Sequence, residues 1–302
     1  MNIKAWIDKN AQSLVGKTVA ITGSTGGLGR EICKHLVSLG ANLILLDRNE
    51  KASSSHRLSL IAQNPKVSVK CLRVDLEDMD SVINATEVLK TIVFDVFISN
   101  AGAYSITRHV CITGYENVFQ INFISPYYMI RELLPQLHER NGRVIVVGSI
   151  AHNYSNADKN DVDFRTRKAS SFVYGNAKRY LMFSLSELFK SEKNIQLAIV
   201  HPGITPTNIT AHYPKLIYAI IKYPMKIVFM KPKKAALSVI AGLFDNCTSD
   251  EWIGPRFFNI WGFPKKCILK SCGDEEKAYI ASTAEKIYKS LKNNQSTRSV
   301  DI

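Results

Sequence analysis

Residues 18–29, TVAITGSTGGLG, run from a β-branched stretch straight into a cluster of glycines. Thr18–Thr22 has the composition of a strand, and Leu28, Ile32, Leu36 and Leu39 then recur at spacings of four, four and three, as on one helix face. Gly40 supplies a C-cap. Between strand and helix the chain must turn sharply, bring its backbone close to a ligand and aim helix N–H groups at an anion. Glycines at 23, 27 and 29 meet those demands, with Thr25 and Leu28 between them. Asp47 follows Gly27 by 20 residues, at the end of the next apolar run. An acid there can accept hydrogen bonds from the ribose of an adenine dinucleotide. The combination predicts dinucleotide binding. Asp47 favours NAD, whereas Arg48 could clamp a 2′-phosphate and favour NADP. The carboxylate is given more weight, because an unpaired acid facing a phosphate is costly.

Outward from this loop, apolar runs continue at Asn42–Asp47, Val67–Val74, Asp95–Ser99, Arg143–Gly148 and Gln196–His201. Helix-like segments separate them, at Met79–Thr91, Tyr115–Leu137 and Asn176–Ser191. This alternation predicts an α/β fold: a Rossmann-type doubly wound parallel sheet of about seven strands with helices on both faces, in a single domain. Residues 15–210 would form the dinucleotide-binding and catalytic core, and 211–302 a substrate flap and C-terminal region. Ala151–Ser171 is polar and reads as an exposed insertion.

Composition narrows the partners. The 302 residues are 46% hydrophobic and 22% charged, which excludes a disordered chain or a small disulfide scaffold. Six unclustered cysteines suggest reduced thiols in the cytoplasm and no metal site. The first sixteen residues do not read as a signal peptide, and Leu216–Met230 is too short and too interrupted to span a membrane. The net charge of +13 calls for an anionic partner. Lys193–Phe244 holds seven lysines and no acid, among apolar stretches. An apolar flap over an apolar substrate is the first expectation, and peripheral membrane contact through 214–234 the second. Nucleic acid is not expected, for lack of a binding motif.

Tyr174 and Lys178 lie one helical turn apart in YGNAK. A lysine there would lower the tyrosine's pKa and let the phenol exchange a proton with an alcohol or carbonyl during hydride transfer. Ser149 ends the fifth apolar run, Asn100-Ala101-Gly102 follows the fourth, and Asn122 lies in QINF. With TGSTGGLG, Val74-Asp75-Leu76 and His201-Pro202-Gly203, these pieces resemble the short-chain dehydrogenase/reductase family, in its order, over about residues 15 to 210. The interval of 25 residues from Ser149 to Tyr174, the segment that follows Ser149, and KPKKAALSVIAGLF resemble its retinol dehydrogenase-like branch.

The resemblance implies an NAD(P)-dependent oxidoreductase. Tyr174 would be the acid/base. Lys178 would tune it and hold the nicotinamide ribose, Ser149 would bind the substrate oxygen, and Asn122 would position Lys178 and a proton-relay water. Asp75 and Leu76 would meet the adenine, Asn100, Ala101 and Gly102 the ribose region, and Pro202, Gly203, Ile204 and Thr205 the nicotinamide. Thr207 is as well explained by a turn at Pro206. His201 reads as structural, and His152 as a residue that could border the site. A homodimer through Tyr115–Leu137 and Asn176–Ser191 is compatible with the pattern, unless the insertion or the C-terminal segment blocks it. A dinucleotide-binding sensor without turnover and an enoyl-type double-bond reductase are the competing readings.

Overall fold

A computed structural model describes residues 2–204, 230–269 and 272–298, without side chains beyond 294. Thr205, Thr207, His212 and all but the last five residues of 214–234 lie outside the described residues. Eight strands form one sheet: β1 Thr18–Thr22, β2 Asn42–Asp47, β3 Val69–Arg73, β4 Val96–Ser99, β5 Arg143–Val147, β6 Gln196–Val200, β7 Glu251–Phe257 and β8 Trp261–Ile268. Their order is 3-2-1-4-5-6-7-8. The first seven are parallel, and β8 folds back antiparallel on β7. The reversal at β1/β4 is the switch point at which such sheets bind ligands. The six apolar runs become β1 to β6, trimmed by up to two residues at an end.

Helices cover both faces. Helices α1 (Ile3–Asn10), α2 (Gly27–Ser38), α3 (Glu50–Gln63) and α4 (Met79–Lys90) come first. Next, α5 (Asn117–Phe119) runs through a π-turn, Gln120–Ile124, into α6 (Ser125–Glu139). A 3₁₀ turn, Ile150–Asn153, precedes α7 (Ser170–Leu188); α8 (Pro232–Ala235), α9 (Leu237–Phe244) and α10 (Asp274–Arg298) complete the chain. Alternate residues of the strands feed two buried layers. Ala20, Ile44, Phe97 and Val144 pack beneath α4, α6 and α7, and Val19, Ile21, Ile98 and Ile145 beneath α2 and α9. Gly40 caps α2 with φ +92°, and Ala41 N donates back to Leu36 O.

The stretch 151–171 is exposed along about half its length, with Lys159, Arg165, Arg167 and Lys168 at the surface, but it is also anchored. Asp163 and Phe164 are buried, Glu116 N donates to Asp163 Oδ2 at 2.8 Å, and Arg108 bridges Glu116 and Phe164 O. The helices expected to form a dimer both bind the chain's own α10, the C-terminal segment that stood as the alternative to pairing. Arg179 of α7 pairs with Glu276, and Glu132 of α6 accepts from Tyr288 and Lys292.

Candidate active site

A cleft of about 500 Å³ lies across the carboxyl ends of β1 to β6. At one end the glycine loop is held by close contacts. Gly23 has φ +68°, and a Cβ there would come within 2.9 Å of Ala101 Cα. A Cβ on Gly29 would lie 2.1 Å from Gly23 O, so the loop and α2 approach as only glycine allows. No side chain caps the N-terminus of α2 at Gly26, which leaves its N–H groups available to a phosphate. Asn100 Nδ2 donates to Thr22 O and Gly23 O, and Thr22 Oγ1 accepts from the backbone of Asn100 and Ala101. The β1 and β4 ends are thereby fixed to one another.

Asp47 lines the cleft and is engaged within the protein. It is 3% exposed, and both carboxylate oxygens accept hydrogen bonds. Oδ2 accepts from Ser24 Oγ at 2.5 Å and Ser53 Oγ at 2.9 Å; Oδ1 accepts from Thr25 N at 3.0 Å and Thr25 Oγ1 at 3.1 Å. The acid fastens the glycine loop. Arg48 beside it is exposed and lines the cleft, as do Asp75 and Leu76. The argument for NAD from Asp47 therefore loses its footing. The signal for this was Ser24-Thr25 and Ser53, short hydroxyl side chains whose convergence depends on how α3 packs.

At the other end stand Ser149, Tyr174, Lys178, Pro202 and Gly203, with Tyr104, Ile106 and Ile121 as apolar walls. Ser149 leaves β5 and caps the 3₁₀ turn, accepting from Ala151 N. Tyr174 lies in α7, which starts at Ser170, six residues before the expected Asn176, and the Tyr104 ring meets it edge-on at 5.3 Å. Burial pushes the Tyr174 phenol up to about 12, opposed by a hydrogen bond with Ser149. Burial likewise pushes Lys178 down to about 8. The lowering expected from Lys178 is not seen: burial raises the phenol, and the group that opposes it is Ser149. Lys178 Nζ donates to Val147 O at 2.9 Å and lies 5.7 Å from the Tyr174 ring centroid.

Asn122 sits in the π-turn and is fully buried. Its Nδ2 donates to Val118 O and Ala103 O, both at 2.8 Å, while Oδ1 has no partner among the described residues. Oδ1 and Lys178 Nζ both face the backbone of Gly102. The π-turn, which often marks functional positions, has no signature in QINF. Ile204 follows Gly203, and its carbonyl accepts from Met230 N; Thr205 lies outside the described residues. His152 and His201 are structural. His152 packs edge-on against Phe183 and Trp252 away from the cleft, and His201 stacks on Trp252 at its wall.

Among the described residues one trio of potential metal-ligand atoms comes within 4.8 Å, from Glu77, His109 and Cys111. Its imidazole is already engaged, with Nε2 2.8 Å from Glu77 and Nδ1 3.2 Å from Asn117 Nδ2.

The family model for the short chain dehydrogenases matches residues 17–215. The chain belongs to this family. Short-chain dehydrogenases similar to it include the dehydrogenase/reductase SDR family member FEY of Arabidopsis thaliana, 27% identical over 300 residues, covering 90% of this chain and 76% of that one. Among solved structures, a protein of Mycobacterium paratuberculosis superposes with TM-score 0.72 at 22% identity, over 94% of this chain and 96% of the other. Pseudomonas aeruginosa RhlG, solved as an NADP active-site complex, superposes with TM-score 0.60 at 23% identity, over 78% and 94%. Both share the fold.

Proposed function

We propose that this short-chain dehydrogenase is an NADPH-dependent reductase of apolar ketones or aldehydes, within the retinol dehydrogenase-like branch. The observation that carries the reading is the Tyr174 phenol, hydrogen-bonded with Ser149, in the same cleft as an exposed Arg48. A phenol that gives its proton to a carbonyl oxygen as hydride arrives serves the reductive direction. The Ser149–Tyr174 interval and the segment between them support the branch. The NADP complex of RhlG agrees with the choice of cofactor. Tyr104, Ile106 and Ile121 favour an apolar substrate.

The residues fit such a cofactor. The uncapped start of α2 and the glycine cradle would hold the pyrophosphate, Arg48 the 2′-phosphate, Asp75 and Leu76 the adenine, and Lys178 the nicotinamide ribose. Asn100, Ala101 and Gly102 would line the ribose region, and Pro202, Gly203 and Ile204 the nicotinamide. A bound dinucleotide supplies the hydride. Ser149 Oγ then orients the carbonyl oxygen, and Tyr174 Oη gives it a proton as charge develops there. Val147 O holds Lys178, and the open Asn122 Oδ1 would accept from a relay water that returns the proton. Residues 15–210 perform the chemistry, and 211–302 select the substrate.

The test is reduction of a panel of apolar carbonyls by wild type and Tyr174→Phe. The variant is expected to lose about 10²- to 10⁴-fold in kcat while keeping NADPH binding. An unchanged rate refutes the role of Tyr174. A wild type that binds NADPH but turns over no carbonyl refutes the enzyme reading in favour of a sensor.

A further inference from the structure

The β7–β8 hairpin turns at Phe257-Phe258-Asn259-Ile260. Ile260 N donates to Phe257 O at 2.9 Å, and Phe258 and Asn259 have φ of +52° and +57°. Two left-handed central residues make a type I′ turn, which ordinarily selects Asn-Gly. A phenylalanine in the first central position carries a backbone cost that glycine avoids. Packing does not offset it, because Phe258 is 87% exposed. Phe257 and Trp261, 54% and 45% exposed, are cross-strand partners at the base of this turn. The turn thus carries three aromatic residues, a cross-strand pair and the exposed Phe258 at the tip.

The charges around them have one sign. Arg256 and Lys265 are exposed, Lys234 lies over the Phe263 ring at 4.7 Å, and Trp252–Ile268 contains no acid. Across the turn, Ile260 O and Pro255 pack against Gly203, where a Cβ would come within 2.6 Å of that carbonyl. The aromatic tip therefore stands beside the Pro202–Gly203 wall of the cleft.

We propose that this hairpin docks the protein on an anionic lipid bilayer. Phe257, Phe258 and Trp261 enter the interfacial layer, and Arg256 and Lys265 meet the headgroups. Aromatic rings are favoured at that depth, and each nearby cation adds attraction to an anionic surface. A three-residue tip is small for a stable protein interface, whereas a bilayer accepts it without a matching groove. Docking sets the nicotinamide end of the cleft at the membrane, so that apolar carbonyl compounds reach it from the lipid. That last consequence rests on the reductase reading; docking itself does not.

The experiment is co-sedimentation of the full chain with phosphatidylcholine vesicles, with and without phosphatidylserine, at low and high salt. Wild type should sediment with the phosphatidylserine vesicles and be released by salt. Phe258→Asp should partition at least about tenfold more weakly. Phe258→Gly separates docking from folding: it should raise Tm by relieving the turn and still weaken vesicle binding. No sedimentation at low salt, or Phe258→Gly binding like wild type, overturns the proposal. So does a variant that changes oligomeric state in gel filtration and not lipid binding, which would make the tip a protein interface. NADPH titration of the same samples reports separately on the reductase reading.

Discussion

Arg179 and Glu276 form a two-pronged ion pair, Nε to Oε1 at 2.7 Å and Nη2 to Oε2 at 2.5 Å, that joins the last helix to the one carrying Tyr174 and Lys178. Arg179 is 1% exposed. Its Nη1 donates to His152 O, and His152 Nδ1 lies 2.5 Å from Ser149 O. Glu276 also accepts from Ala157 N. Burial alone would raise the Glu276 carboxyl, but Arg179 and that N–H hold it below its usual range.

Breaking this pair leaves a buried charge. Glu276→Ala should destabilise the protein by about 3 kcal/mol or more and lower kcat through displaced Ser149, with KM for NADPH little changed. Chemical denaturation and steady-state kinetics check both. An Arg179→Met, Glu276→Leu double variant should recover most of the stability.

Lys178 is charged in an unfolded chain up to about its ordinary 10.5 and, in the fold, only up to about 8. Below pH 8 the fold bears the whole cost of a buried ammonium, and as pH rises from 8 towards 10.5 that cost is relieved. The shift corresponds to about 3 kcal/mol. Lys178→Met should therefore be inactive yet more stable than wild type at pH 7, with the Tm gap narrowing by pH 10.

Arg48 and Asp47 separate cofactor choice from loop integrity. Arg48→Ala should weaken NADPH binding about 10- to 100-fold, as loss of a charge-assisted contact implies, and leave NADH nearly unchanged. Asp47→Asn should weaken both alike, because its hydrogen bonds go to Ser24, Thr25 and Ser53. Fluorescence titration distinguishes the two patterns.

Glu132 is buried between α6 and α10, and burial opposes its charge. Three donors prevail, Lys90 at 2.5 Å, Tyr288 at 2.5 Å and Lys292 at 3.1 Å, and bring it down to about 2. This stabilisation is complete above the ordinary value of 4.5 and is lost as pH falls towards 2. Glu132→Gln should cost on the order of 3 kcal/mol at pH 7, a difference that denaturation curves should show closing between pH 4.5 and 2.

Strand runs were legible because parallel strands buried on both faces are apolar throughout, and TVAIT and NLILLD differ from everything around them. The Gly23–Gly29 loop and the Tyr174–Lys178 interval were legible because their constraints are local. The hydrogen bonds of Asp47 were not legible for the opposite reason: its partner Ser53 comes from the following helix, and only packing brings the hydroxyl to the carboxylate. The π-turn at Asn122 adds a residue per turn with no compositional trace. Asp163 and Phe164 read as surface because charge surrounds them in sequence, while their burial depends on Arg108, more than fifty residues away.

Met230 N donates to Ile204 O at 2.8 Å, which holds together the described chain on either side of residues 205–229, next to the Pro202–Gly203 wall of the cleft. Closing a chain between two held ends costs entropy that grows only slowly with length. What the folded core prescribes here is therefore the separation of two anchors and not the number of residues between them.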